Sequence, residues 1–503
     1  MPLFRRAVHA LLVVAALAGA LAAPAGGQER VVVADVGPGV TGRLLQQVLA
    51  RPHRLYPPAP DTLLLADSTP ARLPVVVLDR TTIVEGVVRG DVIVVGGDLH
   101  VHPGARIEGR AIAIGGGVYP STLAIVTQGS TSHRDHTFRV TRTDGGWSLA
   151  YQPLEWSPKP FSLPGLYGLR IPSYDRTNGL SLPVAPVFVL DSGRIELEPG
   201  VTWRTNLGKI DPSLAVRVQA GRRTRFDVSA ARGTWSNERW IHSDLINSLQ
   251  AIGLGTDSRN WFRADRAEGR AYRLLEWTST RMEPFVGARL ERGWSVGPFT
   301  PPEHTPWSLF GRDDEDGMVR PNPPIDPGSI ASALLGTDLQ WAAGPVTISG
   351  EALVESGRLA AGDRRFTQGT VNGKLAFLAF RNHRFELETH LVLTAGDTAP
   401  RQRFAWIGGS GTVPTLDLLE QGGDQLVFVE SRYSIPIDRF QLPLVGPPTV
   451  TLRHILGGAA VHRFPTLTQN LGLRLGVGFI RGDVMFDPVS GEVKGGVGLS
   501  FAR

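Results

Sequence analysis

Strand-length segments with alternating side chains fill the chain from residue 178 to residue 502. In LGLRLGVGF (471–479) the apolar side chains share one face, while Arg474 and the glycines take the other. FELETHLVL (385–393) alternates in the same way. Successive side chains of a strand point to opposite faces, so such segments suit two folds: a soluble sandwich with an apolar interior, or an outer-membrane barrel with an apolar outside.

The number and spacing of the segments favour the barrel. Tight turns such as Asp191–Gly193 alternate with long insertions at 237–260, 297–327 and 397–424, as in outer-membrane barrels. A sheet in lipid must close on itself, because every backbone N–H and C=O needs a partner there. With 59 glycines and 38 prolines interleaved, we predict an all-β protein whose residues 173–503 form a transmembrane antiparallel β-barrel of 12–16 strands. The fourteen candidate strands are 178–191, 194–206, 211–221, 224–236, 261–276, 278–296, 328–343, 345–358, 366–382, 384–396, 425–437, 448–460, 467–480 and 492–502.

Residues 1–28 predict a secretory signal peptide. Arg5 and Arg6 precede an apolar run from Ala7 to about Ala23, and small residues offer cleavage sites up to Gln28. A transmembrane anchor is the alternative, because the run approaches the ~20 residues that a spanning helix needs. Beyond residue 30 no apolar run reaches ~18 residues, so no further membrane helix is predicted.

The composition excludes several classes of function. The chain has no cysteine, which excludes disulfides, cysteine-based metal sites and cysteine nucleophiles. Its 52 Lys and Arg against 47 Asp and Glu are spread along the sequence without a basic tract. We therefore predict no nucleic-acid partner.

A repeat occupies residues 73–125, between an N-terminal segment with a proline-rich linker (29–72) and a connector with up to two strands (126–172). RGDVIVVGG (89–97) returns nineteen residues later as EGRAIAIGG (108–116), which predicts the coils of a small periplasmic β-solenoid. The segment resembles the bactofilin-like polymer-forming repeats, and we expect it to act as a plug, spacer or self-association module. The side chains predicted to be buried are Val92, Val94, Ile112 and Ile114.

His100, His102 and Asp98 in this repeat have the spacing of metal ligands on one face of a strand. No further ligand is identifiable, and surface histidines are the commoner explanation. We therefore predict no metal and no cofactor.

The stretch from Trp406 to Ile437 resembles the Omp85 superfamily (BamA, TamA and FhaC). In that superfamily a glycine-rich loop leads through a Gly-Asp turn into a strand with an inward Glu-x-Arg. The resemblance covers residues 173–503, including SYDRTNGLSL (173–182) and the closing segment from Leu471, and it favours sixteen strands. Alternation of side chains along this strand predicts that Glu430 and Arg432 face the lumen, while Val427, Val429 and Tyr433 face lipid. The matching residues are Gly408, Gly409, Gly411, Gly423, Asp424, Glu430, Arg432, Pro436 and Ile437.

Two features of the superfamily are missing from the sequence. Its long loop carries an Arg-Gly-aromatic tripeptide that binds an acidic residue on a neighbouring strand, whereas this chain has Val413-Pro414-Thr415 and then RHILGG (453–458). Both partners of that lock are therefore expected to be absent. POTRA repeats are not identifiable either, which leaves the solenoid as the only candidate periplasmic domain.

The number of strands before the long loop tests whether the predicted strands are complete. If both barrel ends are periplasmic and the 397–424 loop is extracellular, an odd number of strands must precede that loop, but only ten are predicted. One strand is therefore missed, merged or invented. Splitting Ile480 to Pro488 from its neighbour would add a fifteenth strand after the loop.

No enzyme is predicted. His242, Ser243 and Asp244 are adjacent on an expected amphipathic helix, where neighbouring side chains point in different directions and cannot form a triad. GGSG (408–411) lacks the GxSxG pattern and its strand–turn–helix setting. The acidic cluster Asp313 to Asp316 lacks the Gly and Glu of an EF-hand. It is expected to be a solvated loop tip, or at most to bridge weakly to lipopolysaccharide through cations.

Two functions compete. One is assembly of outer-membrane proteins or translocation of polypeptides, which the Omp85 resemblance implies. The other is a passive pore, solute channel or structural barrel of the envelope, favoured by the missing lock and POTRA domains. The expected partners are outer-membrane lipid or lipopolysaccharide and, in the first case, unfolded outer-membrane or secreted polypeptides. Charges retained on lumenal faces favour the first function, because a merely structural barrel needs none.

Overall fold

The computed structural model describes residues 30–37, 41–67, 73–121, 124–134, 136–153, 159–221, 223–277, 279–296, 307–310, 318–343, 346–380, 383–437, 439, 447–478 and 480–499. The predicted signal peptide (1–28) and the acidic cluster (313–316) lie outside these residues. The chain divides into two compact units, Met1–Leu154 and Glu155–Arg503.

The first unit contains a parallel β-solenoid. Its strands stack in parallel on three faces, and the register confirms the nineteen-residue repeat, since Val92 lies beside Ala111 and Ala111 beside Ser130. Among the described residues of this unit, one helix, α1 (Thr41–Leu49), accompanies the strands. The strands are β1 (Arg30–Asp35), β2 (Arg54–Tyr56), β3 (Leu63–Leu65), β4 (Val75–Leu78), β5 (Thr82–Val84), β6 (Val87–Val88), β7 (Val92–Val95), β8 (Leu99–Val101), β9 (Arg106–Ile107), β10 (Ala111–Ile114), β11 (Val118–Pro120), β12 (Ile125–Val126), β13 (Ser130–His133), β14 (His136–Thr143) and β15 (Gly146–Pro153).

One face of the solenoid is buried on both sides. Val92 and Val94 belong to the core inside the coils, whereas Ile112 and Ile114 belong to a second core with helix α1, Phe138 and Leu149. This second core exists because β14 and β15 form a hairpin that pairs with β1 and covers the outer face. All four predicted residues are buried, but they face two different cores. Because both faces of β4, β7 and β10 are covered, every side chain along these parallel strands is apolar and the strands show no apolar–polar alternation.

The second unit is one antiparallel sheet of sixteen passes. It contains nineteen hydrogen-bonded segments, and three of its passes consist of two segments each. The segments are β16 (Phe161–Ser162), β17 (Ser173–Asp175), β18 (Gly179–Val184), β19 (Val187–Leu190), β20 (Ile195–Arg204), β21 (Lys209–Gln219), β22 (Thr224–Trp235), β23 (Phe262–Arg273), β24 (Leu275–Glu276), β25 (Thr280–Ser295), β26 (Gly328–Ala343), β27 (Val346–Leu359), β28 (Arg364–Ala379), β29 (His383–Gly396), β32 (Gln425–Pro436), β33 (Thr449–Ala460), β34 (Thr468–Val477), β35 (Ile480–Phe486) and β36 (Val493–Leu499), with β30 (Ala405–Ile407) and β31 (Gln421–Gly423) forming a separate ribbon.

The structure resolves the parity problem with eleven passes before the 397–424 loop. The missed strand is the first pass, β16 with β17. β16 lies in the predicted connector (126–172), β17 lies at the predicted start of the barrel, and the two pair with β19 and β18. A ten-residue interruption, from Leu163 to Pro172, separates its two segments. The pair β34 and β35 supplies the extra strand near the C-terminus. The favoured number of sixteen is confirmed.

Contacts across the sheet show that it curves into a barrel. Trp240, which follows β22, stacks on His390 of β29 at 4.0 Å between ring centroids and contacts Phe428 of β32. In a flat sheet β22 and β29 would lie six strands, or ~29 Å, apart. Among the described residues no backbone pairing joins the last pass to the first.

The three long insertions emerge at one end of the barrel, termed the long-loop end, because each follows an odd-numbered pass. The predicted amphipathic helix is present in the first insertion as α2 (Asp244–Leu254). Ser243 caps its N-terminus by accepting a hydrogen bond from the Ile246 amide, and Gly255 ends it in the left-handed conformation.

Neither α1 nor α2 is long and apolar enough for a membrane span, and the described part of the chain holds no other candidate.

Candidate functional site: a loop locked inside the barrel

The burial pattern of the barrel is the reverse of that in a soluble sheet. On β25, Val286 and Leu290 are 58% and 62% exposed, whereas the alternate residues Arg289 and Glu291 are buried. On β34 the predicted outward leucines, Leu471 among them, are likewise exposed. An apolar outer surface around a charged interior is the arrangement of a barrel that faces lipid. The second unit is therefore a transmembrane β-barrel with a polar lumen.

The 397–424 loop, termed the lumenal loop, is held inside this barrel by one arginine. Arg403 Nη1 lies 2.8 Å from Glu291 Oε1 on β25, and its Nε lies 3.1 Å from Glu355 Oε2 on β27. All three side chains are at most 5% exposed. The loop follows the eleventh pass but reaches the seventh and ninth, so the guanidinium ties the loop to strands that are two and four passes away.

Each carboxylate of this lock also has a second partner. Arg266 Nη2 lies 2.5 Å from Glu291, and Arg289 Nη1 lies 3.0 Å from Glu355. The Ser332 hydroxyl donates to Glu355 at 2.6 Å. A buried charge is tolerated only when it is paired and hydrogen-bonded, so these groups stabilise one another as a set.

The other two long insertions support the backbone around Arg403. The Asn237 side-chain amide donates to the carbonyl oxygens of Gln402 and Phe404 at 2.9 and 2.8 Å. Gln402 exchanges hydrogen bonds with Asp326 through its amide group, which donates to the Asp326 carbonyl and accepts from the Asp326 amide. Three loops thus meet at the lock.

The predicted glycines shape the rest of the lumenal loop. Gly408 and Gly409 have φ of +137° and +87°, conformations that favour glycine. A Cβ on Gly411 would lie 2.5 Å from Cγ2 of Ile241, so this glycine permits close contact with the loop that carries α2. A Cβ on Gly423 would lie 2.0 Å from the Ala460 carbonyl oxygen.

Asp424 ties two loops together. It is fully buried, and its carboxylate accepts hydrogen bonds from the Ala399 amide at 3.1 Å and from the His462 amide at 2.7 Å. The glycines and Asp424 therefore act as structural residues that position the lumenal loop.

Glu430 and Arg432 face the lumen and belong to a ladder of ion pairs. Arg432 Nη2 lies 2.6 Å from Glu388 on β29. Glu430 lies 2.6 Å from Arg453 on β33, which in turn lies 2.9 Å from Asp483 on β35. Lumenal charge is thus continuous across passes eleven to fifteen.

The place of the Arg-Gly-aromatic tripeptide is taken by an apolar contact. Val413 is fully buried in a cluster with Ile407, Leu426 and Ile455, and the Thr415 hydroxyl accepts from the Asn470 side chain at 2.7 Å. The loop is nevertheless locked, through Arg403, ten residues upstream of Val413. Arg403 was not predicted from the sequence; the available signal was an arginine in a long loop, with acidic residues at inward positions of β25 and β27.

A buried acid lies beside the lock at the long-loop end. Burial raises the pKa of Glu238 to about 7, although hydrogen bonds from Ser236 and the Asn260 amide partly oppose this. Its Oε2 accepts these bonds at 2.7 and 3.1 Å. Glu238 therefore changes charge near neutral pH.

The residues considered for catalysis or metal binding have other partners. Asp244 pairs with Arg239 and Arg259 at 2.5 and 2.6 Å, while Ser243 caps α2. In the solenoid His100 stacks on Tyr119, and His102 lies 3.1 Å from Glu85. The Asp98 carboxylate accepts from the Gly117 amide at 2.7 Å.

No protein-family model and no curated protein sequence matches the chain. Among solved structures, the chain is similar to BamA from Haemophilus ducreyi lacking POTRA domains 1–3, at 11% identity and a TM-score of 0.41, with 73% of each chain covered. It is also similar to CdiB from Acinetobacter baumannii (12% identity, TM-score 0.39) and from Escherichia coli (11%, 0.38), with 72% of this chain covered in both cases. It spans 64% and 66% of those two CdiB chains.

Proposed function

We propose that this chain is an exported Omp85-like outer-membrane barrel that assembles outer-membrane proteins or translocates polypeptides, without catalytic chemistry of its own. Its long loops would be extracellular and its solenoid unit periplasmic. The resemblance of residues 408–437 to the Omp85 superfamily and the sixteen passes support the proposal.

The observation that carries it is the locked lumenal loop. After eleven passes the chain folds back into the barrel and is held there by Arg403 between Glu291 and Glu355. An arginine that anchors a long loop inside the lumen serves the same purpose as the superfamily's Arg-Gly-aromatic lock, although the residue and its partners differ.

Charged side chains at the other end of the lumen are accessible to solvent. Near the short-turn end, Lys374, Arg384 and Glu386 have side chains that are 32%, 50% and 16% exposed. Their charges line a vestibule whose paired acids and bases suit a polar, extended polypeptide. The unfolded outer-membrane or secreted polypeptides expected as partners would enter there.

A passive pore is the second candidate, because the same solvent-accessible charges would also admit small solutes. The two functions differ in what blocks the lumen. In assembly or translocation, the loop stays inside the barrel while the protein works. In a passive pore, the loop is a gate whose opening gives a stable conductance.

The test combines depletion of the protein with an inventory of other outer-membrane barrels and with conductance of the purified barrel in planar bilayers. We expect a broad loss of other barrels, low conductance of the parent protein, and higher conductance of Arg403→Ala. Arg401→Ala, in the same loop but with an exposed side chain, is the matched control. A normal inventory together with a stable open conductance of the parent would favour the pore.

Location is tested separately by membrane fractionation and heat-modifiable gel mobility. We expect recovery with the outer membrane and a folded form of altered mobility. Recovery as a soluble periplasmic monomer without detergent would contradict the proposal.

A further inference from the structure

A groove crosses the outer surface of the barrel near its long-loop end. The cavity has a volume of about 1150 Å³ and is lined by residues of β21 to β27. Its floor is a row of cross-strand neighbours that face outward. The row consists of Leu214, Ala230, Ala267, Leu290 and Ala331. Alanines between leucines leave a concave apolar surface on the side that faces lipid.

Charged residues form the next outward row, two residues closer to the long-loop end. Arg232, Asp265 and Arg292 are cross-strand neighbours, at ~7 Å from the apolar row. Arg232 binds Asp265 through two hydrogen bonds of 2.6 and 2.9 Å. For the Arg292 guanidinium, the described residues provide no hydrogen-bond acceptor. An exposed cation therefore lies directly beside an apolar groove.

Two further arginines extend the charge sideways. Arg358 lies beside Ala331 and directly opposite Arg365, although like charges at opposed positions destabilise a sheet. Arg358 pairs with Asp363, and the Asp397 carboxylate accepts from the Arg365 amide. The groove therefore has four arginines (Arg232, Arg292, Arg358 and Arg365) but only three aspartates beside them (Asp265, Asp363 and Asp397) among the described residues. A bound anion would neutralise this excess of positive charge.

The height of the charged row matches a membrane interface. Trp294 lies two residues beyond Arg292 on β25, and the guanidinium of Arg232 lies 5.9 Å from its ring centroid. Tryptophans concentrate at the interfacial girdle of membrane barrels. Arg232 and Arg292 at this level meet headgroups, while the alanines of the row below them meet acyl chains; Arg358 ends that lower row, beside Ala331.

We propose that this groove binds a phosphorylated glycolipid of the lipid A class, with phosphates at the arginines and acyl chains along the alanine row. Arginine binds phosphate through paired N–H donors, which suits exposed guanidinium groups at a headgroup level. The arginines extend from β22 to β27, four strand spacings or ~19 Å. That width favours a headgroup with more than one phosphate over the single phosphate of a phospholipid. The inference rests on the outer-membrane location but not on any polypeptide client.

The test uses full-length protein purified in detergent, with bisphosphorylated lipid A, dephosphorylated lipid A and phosphatidylglycerol as probes, and binding measured by native mass spectrometry. We expect Arg292→Gln combined with Arg358→Gln to weaken lipid A binding at least tenfold. Ala267→Trp, which fills the groove without changing charge, should do the same. Arg194→Gln, whose side chain is 73% exposed at the opposite end of the barrel, is the matched control and should bind within twofold of the parent.

Three results would overturn the inference. One is unchanged binding by both Ala267→Trp and the double variant in their heat-modifiable, folded forms. The second is equal binding of the dephosphorylated probe, and the third is equal binding of phosphatidylglycerol. If the double variant does not fold, Ala267→Trp decides alone. Since binding is measured on the purified chain, failure of the assembly proposal would leave this result standing.

Discussion

Removal of Arg403 should release the lumenal loop. In Arg403→Ala, Glu291 keeps Arg266 at 2.5 Å and Glu355 keeps Arg289 at 3.0 Å. Breaking a buried ion pair costs ~3–5 kcal/mol when the remaining charge is left alone. Because both carboxylates here retain a partner, the lower end, about 3 kcal/mol, is appropriate. At ~1.4 kcal/mol per factor of ten, the open population of the loop should rise roughly 100-fold.

The assay uses the absence of cysteine from the chain. A single cysteine introduced as Val413→Cys lies within the lumenal loop, in the apolar cluster that packs the loop against β32 and β33, where the parent side chain is fully buried. Its labelling by a maleimide then reports the open population, provided that opening and closing are faster than labelling. We expect Arg403→Ala to accelerate labelling roughly 100-fold, by the reasoning above.

Two controls decide whether the lock is the cause. Arg401→Ala removes an arginine from the same loop without touching the buried carboxylates and should leave labelling near the parent rate. Glu355→Gln added to Arg403→Ala should accelerate labelling less than the two single changes predict together, because the two residues interact directly. A rate for Arg403→Ala within threefold of the parent, or an equal effect of Arg401→Ala, would refute the reasoning.

Three further outcomes are expected. Val94→Asp and Ile112→Asp each bury an unpaired charge and should unfold the solenoid unit, which limited proteolysis would show. Heat-modifiable gel mobility should show that the barrel stays intact. Loss of the barrel in both variants would place the segment within the barrel fold. The raised pKa of Glu238, about 7 against ~4.3 when unfolded, favours the folded loop at acidic pH. That contribution is lost as pH rises toward 7, so proteolysis of residues 236–261 should be faster at pH 8 than at pH 5, and Glu238→Gln should remove the difference. Gly411→Val forces a Cβ to within 2.5 Å of Ile241 and should lower barrel stability by ~1–3 kcal/mol. The folded form seen on gels should then be lost at a lower temperature. An unchanged temperature would show that the two loops can separate without cost.

Several features of this protein were determined by the sequence alone, because they depend on neighbours along the chain. Alternation in LGLRLGVGF predicts which side chains of β34 face outward, since the strand period is two whatever the strand contacts. The nineteen-residue repeat predicts the stacking of Val92 on Ala111 for a similar reason: identical coils place identical positions in register. Glu430 and Arg432 follow from the same parity.

Other features were decided only by the tertiary structure. The first pass was missed because the interruption from Leu163 to Pro172 breaks the local pattern, and pairing with β18 and β19 makes it a strand. The sequence around Ile112 does not predict which of the two cores this side chain faces, because the hairpin of β14 and β15 that covers it lies elsewhere in the sequence. Arg403 and Glu291 are 112 residues apart. No local period encodes such a pair, since closure of the barrel brings the two charges together and burial then makes each depend on the other.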